Sequence, residues 1–185
     1  MATAHSDYSW VTEFHNGLLS ISGYCLTLVS GTTVADAIAR LGGEDTGEIQ
    51  DLEGLVDNAF ETQSSSGFRS TSAGLCRVSG WTLVFEPNGF LGVTPTVAER
   101  LASDGVLVSH FRNVNAHGQF AWWERGEPQL KFDPLLPSQR HGPQAQEMVA
   151  TLRAAGSRWK TRQDGRSMAP SPPPSPWPNV SQALR

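Results

Sequence analysis

The stretch GWTLVFEPNGFLG, residues 80–92, limits what this chain can fold into more strongly than any other. Apolar side chains recur at every second position of its first half, at Trp81, Leu83 and Phe85. A period of two is typical of a β-strand, because successive side chains point to opposite faces of a sheet. The fold is therefore expected to include a β-sheet.

We expect this strand to end at a tight turn formed by Pro87-Asn88-Gly89. Proline presets the first turn position and glycine tolerates the left-handed one, as in a type I turn closed by a bulge. Phe90 and Leu91 would then begin the return strand. Glu86 stands beside the turn, where a carboxylate is ordinarily solvated or hydrogen-bonded to turn amides. A catalytic role for Glu86 is the less favoured alternative.

Segments of helical periodicity alternate with strand-like runs along the chain. The run YCLTLVSG, residues 24–31, predicts a buried central strand, and TTVADAIARLGG predicts a helix directly after it. Thr33 and Asp36 have capping-box spacing, and Gly42-Gly43 ends that helix. Further helical patterns lie in residues 8–19, 44–61, 94–105 and 143–155.

Three β-prone runs follow one another between residues 106 and 132 and predict a three-stranded antiparallel meander. The sequence thus predicts an α+β fold: an antiparallel sheet with a central strand, a hairpin and this C-terminal meander, packed by three to five helices. Residues 1–156 are expected to form one domain. Residues 157–185 are rich in proline, serine and charge, so we expect a disordered basic tail.

Charge and hydropathy narrow the possible partners and the expected location. No stretch approaches the roughly 20 apolar residues of a membrane span, and no signal peptide is visible, so a cytoplasmic protein with no membrane contact is expected. Residues 1–152 carry 17 acidic and 8 basic side chains, a net of -9, and residues 153–185 carry a net of +5. An acidic body argues against nucleic acid as the partner.

Motifs of common enzymes and metal sites are missing from the sequence. It contains no GxGxxG, GxxxxGK[ST], HExxH, CxxC or GxSxG, so no cofactor is predicted. Cys25 and Cys76 lie in apolar stretches and are expected to be buried free thiols. A metal at His110, His117 and His141 is not supported by their spacing, and no metal site is predicted.

The meander brings candidate functional residues together if a three-residue turn at residues 116–118 sets its register. His110 would then face Glu124, as a general base faces its orienting carboxylate. Arg112 would face Trp122 in a cation–π contact. A cross-strand polar pair on a solvated sheet face is the alternative for both, and it implies no function.

Trp122 and Trp123 are adjacent on one strand, so their side chains should point to opposite faces. One is expected in the core, and the other outside the sheet or under a helix. An exposed tryptophan near Arg112 and Arg125 would form a partner-binding hot spot. Packing under a helix is the simpler alternative.

Two functions from different classes remain open. The preferred hypothesis is a non-enzymatic module that binds another protein, since catalytic motifs are missing and the meander is rich in aromatic residues. Seven carboxylates in residues 44–61 add an acidic flank, which either docks a basic partner or is a solvated surface. Immunity proteins offer a fold-level analogy. The alternative is a small hydrolase or transferase that uses His110 with Glu86 or Glu124.

Four motifs in a fixed order carry a resemblance to a known family. They are Asp7-Tyr8-Ser9-Trp10, CLTLVSG followed by TTVADAIARLGG, GWTLVFEPNGFLG, and VSHFRNVNAHGQF running into KFDPLLPSQRHG. Over residues 7–156 the chain resembles a family of small actinobacterial proteins catalogued as a domain of unknown function. The resemblance implies an actinobacterial source and a cytoplasmic setting, and it transfers no catalytic residues.

Overall fold

A computed structural model describes residues 23–154 of the protein. Six antiparallel strands form one sheet in these residues. The strands are β1 (Tyr24–Val29), β2 (Gly74–Val78), β3 (Trp81–Pro87), β4 (Val106–Arg112), β5 (Gly118–Glu124) and β6 (Glu127–Phe132).

Within residues 23–154, four α-helices accompany the sheet, which confirms the α+β class. They are α1 (Val34–Leu41), α2 (Leu52–Ser66), α3 (Pro95–Leu101) and α4 (Met148–Ala154), with single 3-10 turns at Leu91–Val93 and Pro137–Gln139. The helix predicted at residues 8–19 and the tail predicted at 157–185 lie outside the described residues. Across residues 23–154, no helix combines the length and apolar character needed to cross a bilayer.

The strand order is β2-β3-β1-β4-β5-β6, so β1 lies in the interior of the sheet as predicted. The predicted meander is confirmed as β4, β5 and β6, each pairing with the next. The hairpin is formed by β2 and β3, and Ser79 and Gly80 take left-handed conformations at its turn. The sheet therefore grows outward from β1 in both directions.

Helices α1 and α3 pack on one face of the sheet, which we call the α1/α3 face. The predicted capping box of α1 is present, because the Asp36 N–H donates to Thr33 Oγ1 (3.1 Å) and the Thr33 N–H donates to the Asp36 carboxylate. The side chains buried between these two helices and the sheet are Val29, Ala37, Val97, Ala98, Leu101, Ala102 and Leu107.

Helix α2 packs on the opposite face, which we call the α2 face. Gly74 shares this face with its cross-strand partner Phe85, and a Cβ at Gly74 would lie 2.7 Å from Leu55 of α2. The helix starts at an Asp51 cap and continues to Ser66. The helix therefore extends beyond the helical pattern predicted at residues 44–61. The helix ends at Gly67, which takes the left-handed conformation.

The predicted return strand after the Pro87-Asn88-Gly89 turn is wrong. Leu91 starts a 3-10 turn instead, and β3 pairs with β1 and β2. The left-handed residue of the turn is Asn88 (φ 51), not Gly89. Glycine is required at position 89 for a different reason, since a Cβ there would lie 1.8 Å from the Glu86 carboxyl carbon.

The predicted register of β4 and β5 is also wrong. Arg112 pairs with Gly118 rather than Trp122, and His110 pairs with Phe120 rather than Glu124. The connection is longer than predicted because the Asn113 side chain accepts the N–H groups of Asn115 and His117, both at 3.0 Å. An asparagine that bonds the backbone ahead of it ends the strand early.

Candidate functional site

A cluster of buried polar side chains lies on the α1/α3 face, at the middle of the sheet. It comprises Cys25 and Thr27 of β1, Glu86 of β3 and Ser109 of β4. Thr27 Oγ1 and Ser109 Oγ lie 2.9 Å apart, and Cys25 Sγ lies 3.4 Å from Ser109 Oγ. Strands β1 and β4 are thus joined by side-chain hydrogen bonds as well as by their ladder.

Glu86 is buried, with 3% of its surface exposed, and it is not solvated. The Leu91 N–H donates to its Oε2 (2.8 Å), and the Phe90 backbone also bonds the carboxylate, so the prediction of bonds to turn amides is confirmed. Burial raises the pKa of Glu86 to about 7, although these backbone bonds oppose the rise. The carboxyl group therefore changes charge near neutral pH.

Gly92 packs directly against the cluster. A Cβ at this position would lie 1.8 Å from Thr27 Oγ1 and 2.5 Å from Ser109 Oγ, so only glycine fits over the two hydroxyl groups. Burial also raises the pKa of the Cys25 thiol, which keeps the sulfur protonated and unreactive. We interpret the cluster as a structural element that fastens residues 90–92 to the sheet.

The structure does not bring His110 together with either candidate carboxylate. His110 lies on the α2 face, where its Nδ1 is 3.2 Å from the Tyr24 hydroxyl, whereas Glu86 lies on the opposite face. Glu124 pairs with Val106. Val106 lies four positions along β4 from His110, so Glu124 and His110 are separated by about 13 Å along the strand direction. The geometry that a general base and its orienting acid require is therefore not formed.

The four predicted binding residues do not form a single patch. Trp123 packs against the core of the α1/α3 face, and Trp122 is half-buried on the α2 face, so the two do point to opposite faces. Arg125 lies in the β5–β6 turn, where its N–H donates to the Gly105 carbonyl. Arg112 lies at the other end of the sheet. Partner recognition by Trp122, Trp123 and Arg125 stays a prediction.

A pocket lies at the end of the sheet where β1 begins and β3 and β4 end. We call this region the Phe90 end, formed by residues 67–73, 88–94, 112–118 and 133–136. The pocket has a volume of about 300 Å³. Half of its lining residues are aromatic, namely Tyr24, Phe68, Phe90 and Phe111, and Arg112 and Asn113 also line it.

Large apolar side chains are exposed around this pocket. Phe68 is 77% exposed and Phe90 63%, and both line the pocket directly. Val114, Leu135 and Leu136 are exposed in neighbouring loops of the same end. Of the eight large apolar side chains exposed in residues 23–154, five therefore lie at the Phe90 end. The exposed apolar side chains of the described residues are thus concentrated at this end of the sheet.

The charge of the Phe90 end is opposite to that of the protein as a whole. Its loops carry two arginines, Arg69 and Arg112, and a single carboxylate, Asp133. The net charge of the whole chain is -4. Arg112 forms no salt bridge with any carboxylate of the described residues.

No signal in the sequence singled out Phe68 or Phe90. Phe68 lies outside the helical and strand patterns of the sequence, and Phe90 lies in the predicted return strand. Gly67, the C-cap of α2, marks where the loop with Phe68 begins, and it could have been recognised as a helix boundary.

The cysteines and histidines are dispersed. Cys25 is buried as predicted, but Cys76 is exposed because β2 is an edge strand, and both thiols are free. His117 Nδ1 lies 3.8 Å from Asp133 Oδ2 in an exposed pair. In the described part of the chain, no three side chains among histidine, cysteine, aspartate and glutamate are grouped as a metal would require.

Comparison with known proteins gives one match. A family model described as a family of unknown function (DUF6461) matches residues 1–171. No curated protein and no solved structure matches the chain.

Proposed function

The chain belongs to this family of unknown function, and we propose that it is a non-enzymatic binding module for an acidic, apolar segment of another protein. The observation that carries the proposal is the Phe90 end, where exposed aromatic side chains surround a pocket that Arg112 also lines.

The apolar half of the proposed recognition rests on Phe68 and Phe90. Binding a large apolar side chain of the partner would remove these two exposed rings from water, at roughly 25 cal/mol per Å² of apolar surface. Aromatic anchors in a pocket are typical of the residues that dominate binding energy at protein interfaces. The pocket volume of about 300 Å³ is at the lower limit of ligand pockets and suits one large side chain.

The polar half rests on Arg112, which lines the pocket and forms no salt bridge with a carboxylate of the described residues. A guanidinium group prefers carboxylates, which it binds through two parallel hydrogen bonds. A partner segment with a carboxylate next to its apolar side chain would satisfy both features. The two arginines of this end, on an acidic protein, are too few for a phosphate backbone, which favours protein over nucleic acid as the partner.

A random peptide library displayed on phage and panned against the full chain tests the proposal. We expect enriched peptides to carry an aromatic or large aliphatic residue close to aspartate or glutamate. Their binding should fall roughly tenfold or more for Phe90→Ser. Phe60→Ser is the matched control, because Phe60 is also exposed but lies on α2. Enrichment of peptides that lack acidic residues, or equal binding by wild type and Phe90→Ser, would contradict the proposal.

A further inference from the structure

Strand β2 is the outermost strand of the sheet, and only β3 pairs with it. Its last three residues, Cys76, Arg77 and Val78, are exposed. Nothing in residues 23–154 forms a ladder with the outer side of this strand. An open edge presents backbone N–H and C=O groups that are ready to pair with another strand.

The opposite edge of the sheet is covered. Along β6, the His141 N–H donates to the Lys131 carbonyl and the Lys131 N–H donates to the His141 carbonyl, both at 2.8 Å. The Gln144 N–H extends this contact by donating to the Gln129 carbonyl (3.1 Å). Residues 23–154 therefore cover the β6 edge of the sheet and do not cover the β2 edge.

Strand β2, with the sequence GLCRV, contains neither proline nor lysine, two residues that commonly keep strand edges apart. Arg77 is its one charged residue, and that side chain turns back onto its own subunit. The guanidinium donates to the Thr32 carbonyl (2.6 Å), to Thr82 Oγ1 (2.7 Å) and to the Gly80 carbonyl (2.7 Å). The charge of Arg77 therefore interacts with its own subunit and does not repel a second strand at the edge.

We propose that β2 pairs with β2 of a second copy, antiparallel about Cys76, and joins the two six-stranded sheets in a two-fold dimer. An antiparallel pair of identical strands satisfies this symmetry, which is the commonest one among soluble oligomers. Around Cys76, Leu75 would face Arg77 and Gly74 would face Val78, so no like charges are opposed.

A second copy fits this edge better than an isolated peptide does. A strand of five residues offers only a few main-chain hydrogen bonds, so a flexible peptide would gain little against its ordering entropy. A second copy is already ordered as a strand and brings the exposed Cys76 and Val78 side chains to both sides of the axis. The proposal is independent of the docking surface at the Phe90 end.

Cys76 provides a direct probe of the pairing. Opposed residues of antiparallel strands have Cα atoms about 4.5–5.5 Å apart, within the range of a disulfide. Diamide would oxidise the two Cys76 thiols to one S–S bond and take up the two electrons and two protons that they release. We expect a covalent dimer from the full chain and none from Cys76→Ser. Cys25 is buried and should not contribute.

Sedimentation equilibrium under reducing conditions gives the second readout. Wild type should have twice the chain mass of 20.0 kDa. Cys76→Lys places two ammonium groups opposite each other and should yield the mass of one chain, with an unchanged far-ultraviolet circular dichroism spectrum. Val114→Lys is the matched control at the Phe90 end and should remain dimeric. A monomeric wild type at every concentration, or a dimer that Cys76→Lys leaves intact, would overturn the proposal.

Discussion

Glu86 and Cys25 face each other across the central strands β3 and β1, and both side chains are buried on the α1/α3 face. The Glu86 carboxylate accepts a hydrogen bond from the Leu91 N–H. This bond holds the chain against the α1/α3 face directly after Phe90. Phe90 itself is left exposed at the edge of the pocket. The buried cluster thus positions the proposed docking surface.

The stability of the protein should fall as pH rises through neutrality. Burial raises the pKa of Glu86 from an ordinary value of 4.5 to about 7. The folded state therefore holds this proton more tightly than the unfolded state does. The resulting stabilisation is complete below about pH 4.5 and is lost as pH rises through about 7, with an upper limit of about 3 kcal/mol. Urea unfolding at a series of pH values measures the free energy of unfolding and therefore this loss of stabilisation.

Glu86→Gln is the control for this pH dependence, because its amide oxygen still accepts the Leu91 N–H but does not titrate. Hydrogen bonds to Thr33 lower the pKa of Asp36, so this group changes the free energy of unfolding only at more acidic pH. A free energy of unfolding that rises between about pH 5 and 8, or a Glu86→Gln variant with the slope of wild type, would disprove the assignment.

Gly92→Ala should destabilise the protein by roughly 1–3 kcal/mol or more, because the new methyl group would overlap Thr27 Oγ1 and Ser109 Oγ. Gly43→Ala is the matched control, since its Cβ would have no neighbour closer than 3.8 Å and its φ is not left-handed. Thermal or chemical denaturation compares the two variants. Equal stability would mean that residues 90–92 are not packed on the cluster.

Arg77→Met should lower the free energy of unfolding by roughly 1–3 kcal/mol. The substitution keeps a long apolar side chain but leaves the carbonyl groups of Thr32 and Gly80 without their charged donor. Arg77→Lys should restore part of the loss, since an ammonium group reaches fewer of these acceptors. If both variants unfold like wild type, the guanidinium does not fasten β2 to the sheet.

Local signals in the sequence predicted most of the fold. The alternation through Trp81, Leu83 and Phe85 identified β3, and the Thr33 and Asp36 capping box placed the start of α1. These features depend on a few neighbouring residues and on backbone geometry, so they can be recognised without tertiary contacts.

The candidate site could not be predicted in the same way. Its members, Phe68, Phe90 and Arg112, are distant in sequence and meet because the ends of β1, β3 and β4 coincide. The register of β4 and β5 depended on the Asn113 side chain, which moved Glu124 away from His110. The burial of Glu86 depended on glycine at position 89, where a Cβ would overlap the carboxyl group, and this contact has no local signal in the sequence.

The most direct test of the docking surface compares two arginines at opposite ends of the same sheet. Arg112 lines the pocket, whereas Arg125 lies in the β5–β6 turn. The probe is a fluorescein-labelled peptide, selected from the library, that carries an aromatic residue and a carboxylate, and its Kd is measured by fluorescence anisotropy. Arg112→Gln should raise the Kd about tenfold, the loss of one charged hydrogen bond, and Arg125→Gln should leave it unchanged. Equal Kd values for both variants and wild type, or a loss confined to Arg125→Gln, would contradict recognition at the Phe90 end.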